Sequence, residues 1–281
     1  MIDYVLRGLT DDGAFRVVAL QATATAQGAV HAQKCSGPRA RLLSEMLVGT
    51  ILVRETMSPG LRVQGILQGN DRKSRIIADS LPDGSSRALL QVAPDRELEL
   101  GEHAMLQMMR TLQNGELGQG LVSANVNGGM SGALMQYMQA SEQVVSFIAV
   151  GAVVSGDVVQ AAGGYIVQLL PGAPEGPLMV MTERLRAFES IDALLASGGA
   201  DPAVLLGEVL YGMEWSEVGR SEVCFACHCS EERLVASLSS LPKHDIAELL
   251  EGGAPLDIDC DYCGKHYCFA PERLRGLVAA N

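Results

Sequence analysis

Short apolar runs recur along the first 170 residues, and the polar residues between them predict where each element ends. Tyr4 to Leu9 and Ala14 to Leu20 flank Thr10-Asp11-Asp12-Gly13, a turn cluster with glycine where a positive φ is needed. They read as a β-hairpin. Small helix-favouring residues dominate from Ala22 to Lys34, and Ser36-Gly37-Pro38 then breaks that helix and starts another. The second helix, about Arg39 to Met57, aligns Leu42, Leu43, Met46, Leu47 and Thr50 on one stripe. Leu61 to Leu67, Arg75 to Ala78, Ala88 to Val92, Met105 to Leu112 and Gly120 to Asn125 are divided by glycine, aspartate and proline, which predicts an antiparallel sheet. Gly128-Gly129 leads to a helix from about Ser131 to Ala140, with Ser131 its expected cap. Val144 to Val154 and Gly164 to Leu170 form two more strands around Ser155-Gly156-Asp157, and Pro171 ends the ladder.

From Pro174 the texture changes. Thr182 to Ala196 reads as an amphipathic helix with Leu185, Phe188, Ile191, Leu194 and Leu195 on its apolar side. A second helix, about Pro202 to Tyr211, follows the Gly198-Gly199 break. This hairpin is either packed permanently on the core or a metastable connector. Further on, Ser230 can cap a helix to about Leu241 that turns Leu234, Val235 and Leu238 inward. Pro242 begins a short helix toward Glu251, and Leu256 to Ile258 is a strand. The expected class is α+β: an N-terminal mixed sheet-and-helix domain at 1–173, a helical linker at 174–220 and a small C-terminal unit at 221–281, whose closely spaced cysteine pairs mark it as zinc-binding. The last is too small to rely on its core without a staple.

Composition narrows the partners. A net charge of −12 and a pI near 4.9 argue against binding phosphate backbones. From Ser221 onward five Lys/Arg face ten Asp/Glu, so a nucleic-acid-binding zinc ribbon is not expected. The N-terminus lacks the basic-then-apolar order of a secretory signal, and Val144 to Val154 is too short to cross a bilayer. Six of the seven cysteines crowd into 45 residues, which fits a reducing compartment and a metal better than a secreted disulfide framework. A cytoplasmic location is expected.

The chemistry lies in those cysteines. Cys227 and Cys229 are separated by His228, and Cys260 and Cys263 by two residues, with thirty residues between the pairs. Four thiolates brought together supply the soft tetrahedral set that zinc prefers, and a closed shell leaves no position for catalytic water. Gly264 after Cys263 gives the second pair the look of a zinc knuckle. The same thiols can also be oxidised to disulfides that hold no metal, and a unit stapled by zinc then loses its fold. Cys224 and Cys268 leave the ligand assignment open and could form a third, later disulfide; Cys35, alone beside a helix break, reads as a small buried or half-exposed residue, and His228 and His266 as solvent-facing or hydrogen-bonded to sulfur. Glu142 has no catalytic partner at recognisable spacing, and Gly163-Gly164 has neither the lysine nor the helix of a phosphate cradle. The methionines at 105, 108, 109, 130, 135 and 138 are expected mainly to fill the core.

Phe225-Ala226-Cys227-His228-Cys229-Ser230-Glu231-Glu232-Arg233 with Ile258-Asp259-Cys260-Asp261-Tyr262-Cys263-Gly264-Lys265-His266-Tyr267 resembles the C-terminal redox switch of the heat-shock protein 33 family. The resemblance extends through Tyr137 with Ser141-Glu142-Gln143, and through Ala162-Gly163-Gly164 with Gln168-Leu169-Leu170-Pro171. It departs from the family's Tyr-Phe pair at Tyr137-Met138. It implies a redox-regulated, ATP-independent holdase chaperone rather than an enzyme. Such a protein is dormant with zinc on Cys227, Cys229, Cys260 and Cys263, and active after oxidation to Cys227–Cys229 and Cys260–Cys263 disulfides. It also implies unfolded client proteins as partners, homodimerisation on activation, and a connector that moves. The rivals are a zinc-stapled scaffold indifferent to oxidants and a thiol–disulfide oxidoreductase using Cys260 and Cys263.

Overall fold

The computed structural model describes residues 2–93, 96, 98–111, 114–124, 128–186, 191–198, 200–242, 244–245 and 253–272. It divides into two compact units, Met1–Ala226 and Cys227–Asn281.

The predicted hairpin is β1 (Tyr4–Thr10) and β2 (Phe15–Gln21). Its turn is closed by Asp12, whose Oδ1 accepts the Ala14 N–H at 2.9 Å, and by Gly13 at φ +70°. Helices α1 (Thr23–Ala32) and α2 (Gly37–Thr56) follow, then β3 (Val63–Gln68), β4 (Arg75–Ser80), β5 (Ser85–Gln91), β6 (Met105–Thr111) and β7 (Leu117–Ser123). These five strands form the expected antiparallel sheet. Helix α3 (Gly129–Tyr137) runs into one π-helical turn at Met138–Glu142. Strands β8 (Ser146–Ser155) and β9 (Val158–Leu169) pair with each other, and β9 pairs with β2. Gly163 lies mid-strand where a Cβ would come within 2.5 Å of the Leu20 carbonyl oxygen, so its role is close strand approach.

Helix α2 lies between the two sheets and packs on both. Its buried set therefore extends beyond the predicted stripe to Val48, Ile51, Leu52 and Val53. Buried Met108, Met130 and Met138 join the same core. Ser131 is not the cap of α3: Gly128 stands at that position, and the Ser131 hydroxyl accepts the Val150 N–H at 3.0 Å. The hydroxyl thus joins the helix to β8.

The connector also differs from expectation. The predicted helix from Thr182 to Ala196 is two helices, α4 (Glu175–Arg186) and α5 (Ile191–Ala196), and Phe188 lies outside the described residues. α4 starts earlier because Glu175-Gly176-Pro177 supplies an acidic first turn and a proline where no N–H is needed. α6 (Pro202–Val209) is capped by Asp201, whose Oδ1 accepts the Ala203 and Val204 N–H groups. Strands β1, β2 and β9 turn alternate residues to opposite faces. Val5, Val18 and Ile166 enter the α2 core, whereas Leu6, Val17 and Tyr165 face Met181, Leu185, Ile191, Leu195, Leu205 and Leu206 of the connector. The connector thus covers an apolar sheet face that would otherwise meet water.

Strand β10 (Trp215–Glu222), absent from the sequence reading, pairs with β1 at the edge of the sheet β10-β1-β2-β9-β8. β11 (Cys224–Phe225) then pairs in parallel with β5 at the edge of the other sheet. Residues 221–226, grouped with the cysteines in the sequence reading, are therefore built into both sheets. The remaining elements are α7 (Glu231–Ser239), β12 (Leu256–Asp259) and an unpredicted partner strand, β13 (His266–Phe269). The short helix expected from Pro242 toward Glu251 falls largely outside the described residues.

Candidate metal centre

The chain reaches the site from β11. The Phe225 side chain lies where α1 has Gly28, whose Cβ would come within 2.7 Å of it, and the Ala226 N–H donates to the Ser86 carbonyl at 3.1 Å. Cys227 follows directly. Ser230 caps α7 by accepting the Arg233 N–H at 3.3 Å, and the Arg233 guanidinium donates to the His228 carbonyl at 2.7 Å. The Ser-x-Glu-Arg sequence therefore fixes the turn that separates the first two thiols. On the other arm, β12 pairs with β13, opposing Leu256 to Phe269 and Ile258 to Tyr267. Between them the Gly264 N–H donates to the Cys260 carbonyl at 2.7 Å, and Gly264 takes φ +70°, which a side chain would strain. This turn aims the Tyr262 and Cys263 N–H groups at the Cys260 sulfur and the Lys265 N–H at the Cys263 sulfur. Leu234, Val235 and Leu238 close the unit over Tyr267 and Phe269, as the helical pattern predicted.

These elements bring the sulfur atoms of Cys227, Cys229, Cys260 and Cys263 within 4.8 Å of one another. Cys227 and Cys260 stand 3.7 Å apart, and Cys229 and Cys263 3.4 Å. Zinc–sulfur bonds of about 2.3 Å place tetrahedral sulfurs about 3.8 Å apart, so the donor set fits one such ion and closes its shell. In a tetrahedron all edges are alike, and these distances do not select a disulfide pairing.

The Tyr267 hydroxyl, on β13, donates to the Cys229 sulfur at 3.1 Å. No local pattern points to this contact, which depends on the register of two strands, one of them unpredicted. Burial pushes the Cys229 thiol up, but hydrogen bonds from Tyr267 and the neighbouring thiols outweigh it and bring the pKa down to about 7. Burial, reinforced by the adjacent sulfurs, holds Cys263 up at about 12. Burial likewise raises Cys260. Cys229 is thus more readily presented as thiolate than Cys260 or Cys263, and the thiolate is the form that reacts with oxidants.

The other residues singled out in the sequence have separate surroundings. His266 is exposed between Asp259 at 2.8 Å and Asp257 at 3.4 Å, and the hydrogen bond to Asp259 raises its pKa. Cys224 and Cys268 are exposed on β11 and β13. Cys35 is buried, which pushes its thiol up to about 11. Glu142 accepts the Tyr137 hydroxyl at 2.5 Å and pairs with Arg110, a structural role. Among the described residues no helix is long and apolar enough to cross a membrane.

Comparison with known proteins matches residues 3–270 to the model of a family described as Hsp33 protein. The 33 kDa chaperonin of Halalkalibacterium halodurans is 28% identical over 290 residues, covering 99% of both chains. That of Ruminiclostridium cellulolyticum is 28% identical over 288 residues, covering 95% of this chain and 97% of its own. The structure of the 33 kDa chaperonin, a heat shock protein 33 homolog, from Thermotoga maritima superposes with a TM-score of 0.84 at 23% identity. That superposition covers 100% of this chain and 99% of the other.

Proposed function

The chain belongs to the Hsp33 family, and from that premise we propose that it is a redox-regulated holdase chaperone whose dormant form carries zinc on Cys227, Cys229, Cys260 and Cys263. A chaperone role follows from the family. The observation that carries the finer reading is the group of four thiols within 4.8 Å, set in a unit whose buried core, among the described residues, is Cys260, Tyr267 and Phe269. When bound, zinc supplies the staple that ties α7 to the β12–β13 pair.

The residues account for the switch. A Cys229 thiolate takes an oxygen from peroxide, giving sulfenic acid and hydroxide; a neighbouring thiol condenses with it, forming a disulfide and water. Each disulfide removes two thiolate donors. The family implies the pairs Cys227–Cys229 and Cys260–Cys263. With the donors gone, the cysteine unit loses order. The segment leading into it, β10–β11, and the helices α4–α6 then release the apolar face of Leu6, Val17 and Tyr165 for unfolded clients. Concealment of that face in the reduced form explains dormancy. Homodimerisation of the oxidised form and a cytoplasmic location belong to the same reading, as does the division into a client-binding domain at 1–173, a connector at 174–220 and a switch unit at 221–281.

The test is alkylation and mass spectrometry before and after peroxide with mild heat, alongside zinc analysis and aggregation of a heat-denatured client. The proposal expects four thiols lost, about one zinc released per chain, and aggregation suppressed. A scaffold would show no peroxide-dependent suppression, and an oxidoreductase would turn over insulin disulfides and retain that activity in Cys227→Ser.

A further inference from the structure

Asp3, just before β1, is 3% exposed, yet only one of its carboxylate oxygens is used. Oδ2 accepts the N–H and the hydroxyl of Thr25 at 2.6 and 2.7 Å, which caps the first turn of α1. Oδ1 is buried and has no hydrogen-bond partner. A buried charged acceptor left in this way is costly, and its complement is a donor, best a cationic one.

Asp3 lines a cavity of about 640 Å³, within the range of small-molecule sites. Asp201 lines the same cavity, and its Oδ2 accepts the Tyr4 hydroxyl at 3.0 Å. Val153, Val159 and Leu195 give it an apolar wall, and Gln160 stands exposed at its rim. Among the described residues that line it there are two carboxylates and no lysine, arginine or histidine. An inorganic cation would leave the apolar wall unused, whereas a chain of methylenes ending in ammonium groups uses both surfaces.

We propose that this cavity binds a small aliphatic amine, with the Asp3 carboxylate supplying one negative charge and Asp201 the second. A diamine is favoured over a monoamine. One wall, Asp3, Val153 and Val159, belongs to the sheet and its flank, and the other, Leu195 and Asp201, to the connector. An occupied site therefore favours the docked connector by mass action. This consequence rests on the chaperone reading; binding does not.

The experiment is calorimetric titration of the reduced, zinc-loaded full chain with 1,4-diaminobutane, against 1,4-butanediol and potassium chloride at matched ionic strength. Expected is saturable, equimolar diamine binding with no saturable heat from the diol or the salt. Asp3→Asn should weaken binding roughly tenfold. Gln160→Lys, at an exposed position that leaves the α1 cap intact, should weaken it similarly by placing a cation at the rim. Equal binding of the diol, or wild-type affinity in a folded Gln160→Lys, overturns the site. With the site established, the diamine should slow peroxide activation of the wild type. An unchanged rate overturns the coupling to the connector and leaves binding standing.

Discussion

Leu206→Ala probes the contact on which dormancy depends. Leu206 is fully buried on α6 against the outer face of the five-stranded sheet, and its Cδ1 lies 3.7 Å from the position of a Cβ on Gly8, beside the Trp215 ring. Truncating such a leucine costs about 2–5 kcal/mol through lost transfer energy and the cavity left behind. The cost falls on the docked connector and not on the released one, so the docked-to-released ratio should drop by roughly 30-fold to several thousand-fold. The assay is aggregation suppression by the reduced, zinc-loaded variant, with fluorescence of Trp215, the sole tryptophan, reporting on β10. Activity without oxidant and a red-shifted Trp215 emission are expected, with zinc content unchanged. Leu20→Ala is the matched control, because Leu20 is equally buried but faces α2. It should lower the melting temperature without activating the chaperone. If both variants only melt earlier and stay inactive, the connector does not gate client binding.

Further outcomes follow from the site. Cys227→Ser should abolish stoichiometric zinc while Cys268→Ser retains it, by metal analysis of the purified chains. Tyr267→Phe removes the hydroxyl bonded to Cys229 and should weaken zinc affinity about 10–100-fold in competition with a chromogenic chelator. Gly28→Ala would place a methyl group 2.7 Å from Phe225 and should destabilise the docked β11 by about 1–3 kcal/mol in urea unfolding. The Asp71 carboxyl is held down at about 2 by the Ser74 N–H, the Ser74 hydroxyl and the Lys73 N–H. A depressed carboxyl stabilises the fold above its unfolded value near 3.8 and loses that contribution as the pH falls toward 2. Asp71→Asn should therefore flatten the acid limb of the stability profile over that window.

Elements whose signal is local could be read from the chain. The β1–β2 turn carries its own Asp12 and Gly13, α7 its own Ser230 cap, and the two cysteine arms their own spacing. Elements defined by distant partners could not. β10 has an exposed, charged sequence without an apolar face, and it is a strand because β1 offers a free edge and Trp215 packs on Gly8. Ser131 has the residue type of a cap but serves the backbone of β8. The stripe on α2 underestimated its burial because amphipathic patterning assumes one covered face, and this helix has a sheet on either side. Tyr267 became visible as a partner of Cys229 only once β13 was paired with β12.

Whether loss of the thiolate donors undoes the connector is tested by one time course. Peroxide is added to the reduced protein at mild heat while zinc release, Trp215 emission and client protection are followed together. Zinc should appear first or together with the Trp215 shift, with protection following both and all three reversing on reduction with zinc restored. Protection that rises while zinc stays bound and Trp215 is undisturbed would show that client binding does not depend on losing the thiolate donors.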